Sequence, residues 1–411
     1  MKVEIHLLQN FAPSCLNRDD TGSPKQSEFG GTTRARISSQ CFKRTIRDTD
    51  PFKRLLAEKG GSVRTRLLIY KIAQIVSGRA ENQPPKPDVE KEVAKVFEEA
   101  GLERSKQKKG EDGAEEERDV TKVILYMDHS AIKQMADAFT QNWDALKAGD
   151  KEKRSETIES LANLLADAVQ TPDIALFGRM IEVNSKTPIG QKQLRVDAAL
   201  YPSHPISTHS VDYDTDFFTA VDDISGETGA SMMGHAGYNS ACYYRYACVD
   251  FDQLVDNLKD DRALAERTLE AFLESFCVAI PHAKQTSMAT FEPPDFGLLV
   301  VRNAGVPLSM ANAFARPVDP WEGREYPDLV GNSVSRLVMR WERTAKVYGT
   351  RGVVTAALFH MGYEGDRLGR LAACDVETLE EAVARVMRGV RDQLTDKDQL
   401  AVRQPEAEAV S

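Results

Sequence analysis

Residues 30–47 read GGTTRARISSQCFKRTIR, with five cations (Arg34, Arg36, Lys43, Arg44, Arg47) and no acid over eighteen residues. Ser38 or Ser39 is a natural N-cap, and helix-forming residues follow at once. A helix starting there places Gln40, Lys43, Arg44 and Arg47 at i, i+3, i+4 and i+7, on one face. Phe42 and Ile46 fall on another face and can anchor the helix to a core. Unpaired N–H groups at the helix start and a cationic stripe beyond them both suit a phosphate backbone. The plainer alternative is a solvated basic face. Three details speak for binding: the missing acids, the serines that open the stripe, and the Gly30–Gly31 pair, which lets another backbone approach closely.

Other residues with chemical potential are less organised. His204, His209 and His235 cluster in the middle of the chain, but no H-E-x-x-H or C-x-x-C spacing accompanies them. The six cysteines form no such pair. Cys242 and Cys248 share one face of a strand, which is the usual pattern of core thiols. KTPIGQK lacks the glycine spacing of a P-loop, and neither a Rossmann nor a G-x-S-x-G motif occurs. No metal, cofactor or catalytic constellation is expected.

The elements that must carry the basic stretch can be read around it. MKVEIHLLQNF alternates Val3, Ile5 and Leu7 as a β-strand does, and APSCLNRDDTGSPKQSEFGG follows as a polar loop. Helical spacing runs through IYKIAQIV and SETIESLANLLADAV. Between them, ERSKQKKGEDGAEEERD is almost free of apolar residues and reads as a flexible insertion near 103–119. TPDIALFGRMIEV is a short apolar segment, and 186–238 is rich in Gly, Pro, Thr and Asp. YNSACYYRYACVDF alternates as a strand, with Tyr244 and Tyr246 on one face and Tyr243 and Arg245 on the other. A single long helix is expected over 254–279, followed by the strand FGLLVVRN. A helix around SRLVMRWERTAKVYG, the strand VVTAALF and the helix VETLEEAVARVMRGV complete an α+β protein.

The 411 residues allow roughly two to three domains at about 150 residues each. A formal charge of −10 argues against indiscriminate coating of nucleic acid. Local binding survives that balance, because screening confines each charge to about 8–10 Å. No apolar run approaches the roughly 18 residues of a membrane span. The N-terminus lacks a secretory pattern, and reduced thiols point to a cytoplasmic protein.

The stretch NRDDTGSPKQSEFGGTTRARISSQCFKRTIR resembles the N-terminal signature of the CasC family, the backbone subunit of the type I-E CRISPR Cascade complex. DIALFGRM, STHSVDYDTDFFTAVDD, YYRYACVDF, PHAKQTSMATF and PLSMANAF match further family segments in family order, so that the resemblance runs from Leu16 to Ala315. It implies an RRM-like (ferredoxin-like) palm, helical fingers and an inserted β-hairpin thumb. The implied layout is palm over 1–48, fingers over 49–170, a palm and wedge segment over 171–194, thumb over 195–230, remaining palm and C-terminal helices over 231–402, and a disordered tail over 403–411.

The resemblance further implies that Ser38, Gln40, Lys43, Arg44 and Arg47 hold a guide-RNA (crRNA) backbone, assisted by Lys25 and Arg18. Met180, Phe217 and Phe218 would be wedges at a displaced nucleotide, as a thioether and aromatic rings can be; the alternative for each is core packing. Implied partners are the guide RNA, the target DNA strand paired to it, further copies in a head-to-tail filament and other Cascade subunits. Asp212, Asp214, Asp216, Asp222 and Asp223 would repel phosphate, so the thumb would grip by shape, and Arg34 and Arg36 could pair with such acids of the next copy. Two rival readings remain. One is an RNA-cleaving subunit of the type III kind, with Asp173 as the cutting residue. The other is a protein scaffold without RNA.

Overall fold

The computed structural model describes residues 1–80, 83–108, 117–224, 228–322, 325–363 and 365–403. The chain divides into two compact units. The first comprises Met1–Lys53, Leu200–Asp252 and Leu269–Ser411; the second comprises Arg54–Ala199 and Gln253–Thr268.

The first unit is built on an antiparallel sheet. Its strands are β1 (Lys2–Ser14), β4 (Asp214–Val221), β5 (Thr228–Asp250), β6 (Phe296–Arg302) and β7 (Val353–His360), in the order β4-β5-β1-β6-β7. Between β1 and β4 in the chain lie the short hairpin β2 (Gln26–Phe29) with β3 (Thr32–Ala35) and the helix α1 (Ser39–Arg47). β1 and β6 sit between paired neighbours and are buried on both faces, which explains the near-continuous apolar run of β6; β1 also buries the polar Glu4, His6 and Gln9. Their register places Leu8 opposite Tyr244 and Phe296. On that face Tyr244, Tyr246, Leu298 and Val300 pack with Met310, Phe314, Val334 and Trp341, the last two from helix α2 (Leu329–Tyr348). Helix α3 (Leu379–Arg403) packs on β7 and β6.

β5 is 23 residues long because it serves two structures. Its C-terminal part is a central sheet strand, and its N-terminal part pairs with β4 from Asp214 opposite Tyr238 to Val221 opposite Thr228. Almost every β4 side chain is exposed, so this hairpin has no core of its own. A two-stranded ribbon of this kind is marginal without a partner. The ladder spans 214–238 rather than the expected 195–230, because residues 200–202 and 206–207 instead add short strands to the edge of β5.

In the second unit the helices Leu68–Val76, Pro87–Ala100, Ser130–Gln141 and Lys151–Asp167 share a core around Ile69, Ile72, Phe97, Phe139 and Leu161. The apolar spacing of IYKIAQIV and SETIESLANLLADAV accounts for two of them. The stretch 103–119 differs from expectation at its flanks, where Arg104–Lys108 pairs antiparallel with Glu117–Thr121. Buried Val120, and Asp119 held by Lys106 at 3.3 Å, order this polar stretch. Residues 109–116 lie outside the described residues, as does the tail expected over 403–411 apart from Arg403, which ends helix α3.

The helix expected over 254–279 is two helices, Phe251–Asn257 and Arg262–Val278. Lys259 and Asp260 adopt positive φ of 52° and 66° between them, and Asp261 caps the second helix through the Leu264 N–H at 2.9 Å. No glycine or proline marks this break.

Arg34 corrects an expectation. Instead of reaching a neighbouring copy, its side chain is fully buried. It donates to the carbonyls of Ser207 at 3.1 Å and Phe314 at 2.9 Å and to the Thr32 hydroxyl at 2.9 Å. Gly30 belongs to the same arrangement: at φ 63°, its missing Cβ would lie 1.7 Å from the Ala315 carbonyl oxygen. The close approach expected of the Gly30–Gly31 pair is thus made at Gly30 by this chain's own backbone, whereas a Cβ on Gly31 would meet nothing within 4 Å. Replacing Arg34 with Met strands these acceptors at about 1–3 kcal/mol each. Denaturant unfolding of Arg34→Met should show a loss of at least about 2 kcal/mol; unchanged stability would show the clamp to be dispensable.

Candidate nucleic-acid interface

Helix α1 begins as its sequence dictates. Ser38 is the N-cap, and its hydroxyl accepts from the Cys41 N–H at 3.2 Å. The Ser38 N–H donates to Asn17 Oδ1 at 2.9 Å, which joins the helix start to the preceding loop. Phe42, Thr45 and Ile46 are buried. Gln40 and Arg44 are exposed, and Lys43 and Arg47 are half-buried beside them on the same face. Arg44 also forms an ion pair with Asp48 at 2.9 Å, just beyond the acid-free stretch. Such an exposed pair is worth about 0–1 kcal/mol and yields readily to a phosphate.

Phe42 fixes the helix to the sheet through an arginine. The Arg245 guanidinium lies 4.3 Å from the centre of the Phe42 ring and 4.7 Å from that of Phe276. Arg245 is fully buried and donates to Gln9 Oε1 and the Phe276 carbonyl. Alternation along β5 puts Arg245 on the face opposite Tyr244 and Tyr246, but no local signal marks its contact with α1.

The loop before α1 is held by a turn around Asp19, whose carboxylate accepts from the N–H groups of Thr21 and Ser23, both at 3.0 Å. The Thr21 hydroxyl above all, with those N–H groups, keeps the Asp19 carboxyl below its usual range. The turn brings Arg18 opposite Pro24, next to Lys25, and the Arg36 N–H donates to the Lys25 carbonyl at 2.9 Å. Arg18 and Lys25 make no side-chain hydrogen bond or ion pair among the described residues. Arg36 lies 2.8 Å from His204 Nδ1. Arginine can only donate, so His204 accepts there and carries its proton on Nε2. Burial, with the charges of Arg36 and Lys25, lowers the His204 pKa. The Ile37 N–H donates to the Pro205 carbonyl at 3.0 Å, which sets His204 beside the helix start. A separation of 168 residues hid this neighbour from sequence reasoning.

The three wedge candidates all lie outside the cores. Met180, in the second unit, is 71% exposed. It follows Arg179, which is buried and donates to the carbonyls of Leu194 at 2.8 Å and Leu165 at 2.9 Å, so Met180 projects from a rigid support. In the first unit Phe217 and Phe218 are 55% and 38% exposed on β4. Phe218 covers Gly234, where a Cβ would come within 2.5 Å of its ring, and Phe217 lies 5.2 Å from the ring of His235. All five hairpin aspartates are exposed. Cys242 and Cys248 are core residues whose thiols burial pushes up to about 12. Asp173 is fully buried in the second unit, where it accepts from the Ser62 hydroxyl and the Ile174 N–H. No described helix is long and apolar enough to cross a membrane.

A mixed α/β protein with an antiparallel sheet, a helical second unit, an exposed hairpin and a cationic helix is the class these features define. The chain belongs to the CT1975-like protein family, whose model matches residues 3–385. Its fold is similar to that of a chain from a pre-nicking CRISPR RNA-guided surveillance complex, at 26% identity and a TM-score of 0.73, covering 93% of this chain and 99% of that one. A chain from another CRISPR RNA-guided surveillance complex shares the fold at 23% identity and a TM-score of 0.65, covering 94% and 99%. No curated protein matches.

Because Phe218 is partly exposed on a hairpin without a core and covers Gly234, truncation should leave the isolated protein almost unchanged. The expected loss in Phe218→Ala is below about 1 kcal/mol, against about 2–5 kcal/mol for a large buried side chain. Thermal unfolding of the isolated subunit checks this, and a loss in the buried range would return Phe218 to a packing role.

Proposed function

We propose that this protein is the backbone subunit of a type I-E Cascade-like CRISPR surveillance complex in the cytoplasm. In this reading it oligomerises head to tail along the guide RNA and presents the guide for pairing with target DNA. The first unit is then an RRM-like palm, the second unit the fingers and the β4–β5 hairpin the thumb. The observation that carries the reading is the single α1 face of Gln40, Lys43, Arg44 and Arg47, opened by Ser38 and flanked by Arg18 and Lys25. This face occurs in a chain of the CT1975-like family whose fold is similar to a surveillance-complex subunit.

The chemistry of that face suits a backbone, because cations and hydroxyls contact phosphates without reading bases, and pairing supplies the sequence information. Phe217, Phe218 and Met180 fit the wedge role for the same reason that they do not fit a core: they present apolar surface to solvent, where an unstacked base can cover it. Repetition of one weak site along one strand multiplies its effect. The subunit binds and does not cut. Asp173, the residue that a cleaving reading would use, is buried and occupied by hydrogen bonds.

Coexpression with a CRISPR array provides the test. The wild type should copurify with array-derived RNA, and Lys43→Ala/Arg44→Ala/Arg47→Ala should lose it while remaining folded. A triple variant carrying full-length guide refutes the assignment. Affinity should fall steeply with salt as counterions are released, and a flat response would favour the protein-scaffold reading. Complementary RNA incubated with the wild-type complex and Mg²⁺ should stay intact; regular cuts lost on Asp173→Ala would overturn the non-cutting assignment.

A further inference from the structure

We propose that an apolar groove at the C-terminal end of β7 receives the C-terminal tip of helix α2 from a second copy of this chain. The pairing rests on the head-to-tail reading proposed above and names the two surfaces that meet in it.

The groove is a cleft of about 400 Å³ in the first unit, lined by Val278, Ile280, Phe291, Phe359, Met361 and Leu379. Val278, Phe291 and Met361 are exposed, so its apolar rim stands open to solvent. Grouped exposure of this kind marks an interaction surface, whereas isolated apolar residues do not. Two carboxylates share the lining. Glu377 makes no side-chain hydrogen bond or ion pair among the described residues. Glu292 Oε1 accepts from the Ala12 N–H at 3.4 Å, but its Oε2 is buried without a hydrogen-bond partner among the described residues. A buried carboxylate oxygen without a donor is costly, and a cation entering from outside supplies one. The groove therefore suits an apolar side chain with a cation beside it.

This chain carries such a segment at the end of α2. Val347 and Tyr348 are 73% and 75% exposed there. Lys346 precedes them and Arg351 follows, and neither has a side-chain partner among the described residues. An acidic, apolar groove and a cationic, apolar tip are complementary in both respects.

Their placement rules out docking within one chain. β6 and β7 pair from Phe296 opposite His360, at the groove, to Arg302 opposite Val353. The tip leads into that second end, where the Val353 N–H donates to the Thr350 carbonyl at 3.0 Å. At about 3.4 Å per residue, the seven residues of β6 separate the two ends by roughly 20 Å. Two complementary surfaces at opposite ends of one unit make a heterologous contact, which repeats as an open row when it does not close into a ring.

The test uses the full-length protein coexpressed with a CRISPR array, a short bismaleimide crosslinker and denaturing electrophoresis. Met361→Cys marks the groove rim and Thr350→Cys the tip, both at exposed positions. The chain carrying both cysteines should give a ladder of covalent multimers. Either single variant should give no more crosslinking than the wild type, and the two coexpressed should give a dimer and nothing longer. Tyr348→Asp in the double-cysteine chain should remove the ladder at an unchanged melting temperature. Multi-copy assembly by native mass without a ladder overturns this docking, assigns the groove to another occupant and leaves the head-to-tail reading standing. A ladder that survives Tyr348→Asp also overturns it, as does crosslinking of Met361→Cys to itself, which would show a twofold pair. A wild type that stays monomeric in the presence of array RNA overturns both the docking and the reading beneath it.

Discussion

The candidate interface depends on one buried cation. Arg245 sits in the middle of the sheet, on β5, with its guanidinium against the rings of Phe42 and Phe276 and its two Nη groups donating to Gln9 and to the carbonyl of Phe276, while Nε finds no partner among the described residues. Burying a charge is costly unless it is fully hydrogen-bonded, and here two aromatic faces and two oxygens share that work. The consequence is positional. α1 is only nine residues long and would be marginal alone in water. Held at Phe42, it keeps exposed Gln40 and Arg44 and half-buried Lys43 and Arg47 on one face.

The same solution recurs at two other buried arginines. Arg34 ties the β2–β3 hairpin to the carbonyls of Ser207 and Phe314, and Arg179 ties the segment before Met180 to those of Leu194 and Leu165. Each uses main-chain oxygens as acceptors. The five donors of a guanidinium allow one side chain to join segments far apart in sequence. These clamps stiffen the irregular connections that carry the candidate contacts, while the hairpin aromatics and Met180 stay exposed.

Much of this was legible in the sequence, and the reasons differ by element. The start of α1 could be placed to within a residue because a serine N-cap and a strict i, i+3, i+4, i+7 row are local signals. β1 and the Tyr243–Tyr246 alternation were legible because the period of two survives burial. The role of Arg34 was misread: an arginine in a basic run looks solvated, and only the distant carbonyls of Ser207 and Phe314 show otherwise. The break at Lys259 and Asp260 was invisible, since both residues entered left-handed backbone without glycine. The paired flanks of 103–119 were hidden because the ladder joins polar residues, and composition alone cannot reveal register. His204 lay beyond any sequence window, and tertiary packing alone brings it to the start of α1.

The central claim is that one strand of RNA lies along the exposed face of α1. Ultraviolet crosslinking of the RNA-bound protein, followed by peptide mapping, addresses it directly. The account predicts crosslinked nucleotides on peptides containing Ser38–Arg47 and on the adjoining Arg18–Lys25 loop. Crosslinks confined to the second unit or to helix α3, with none on α1, would contradict it.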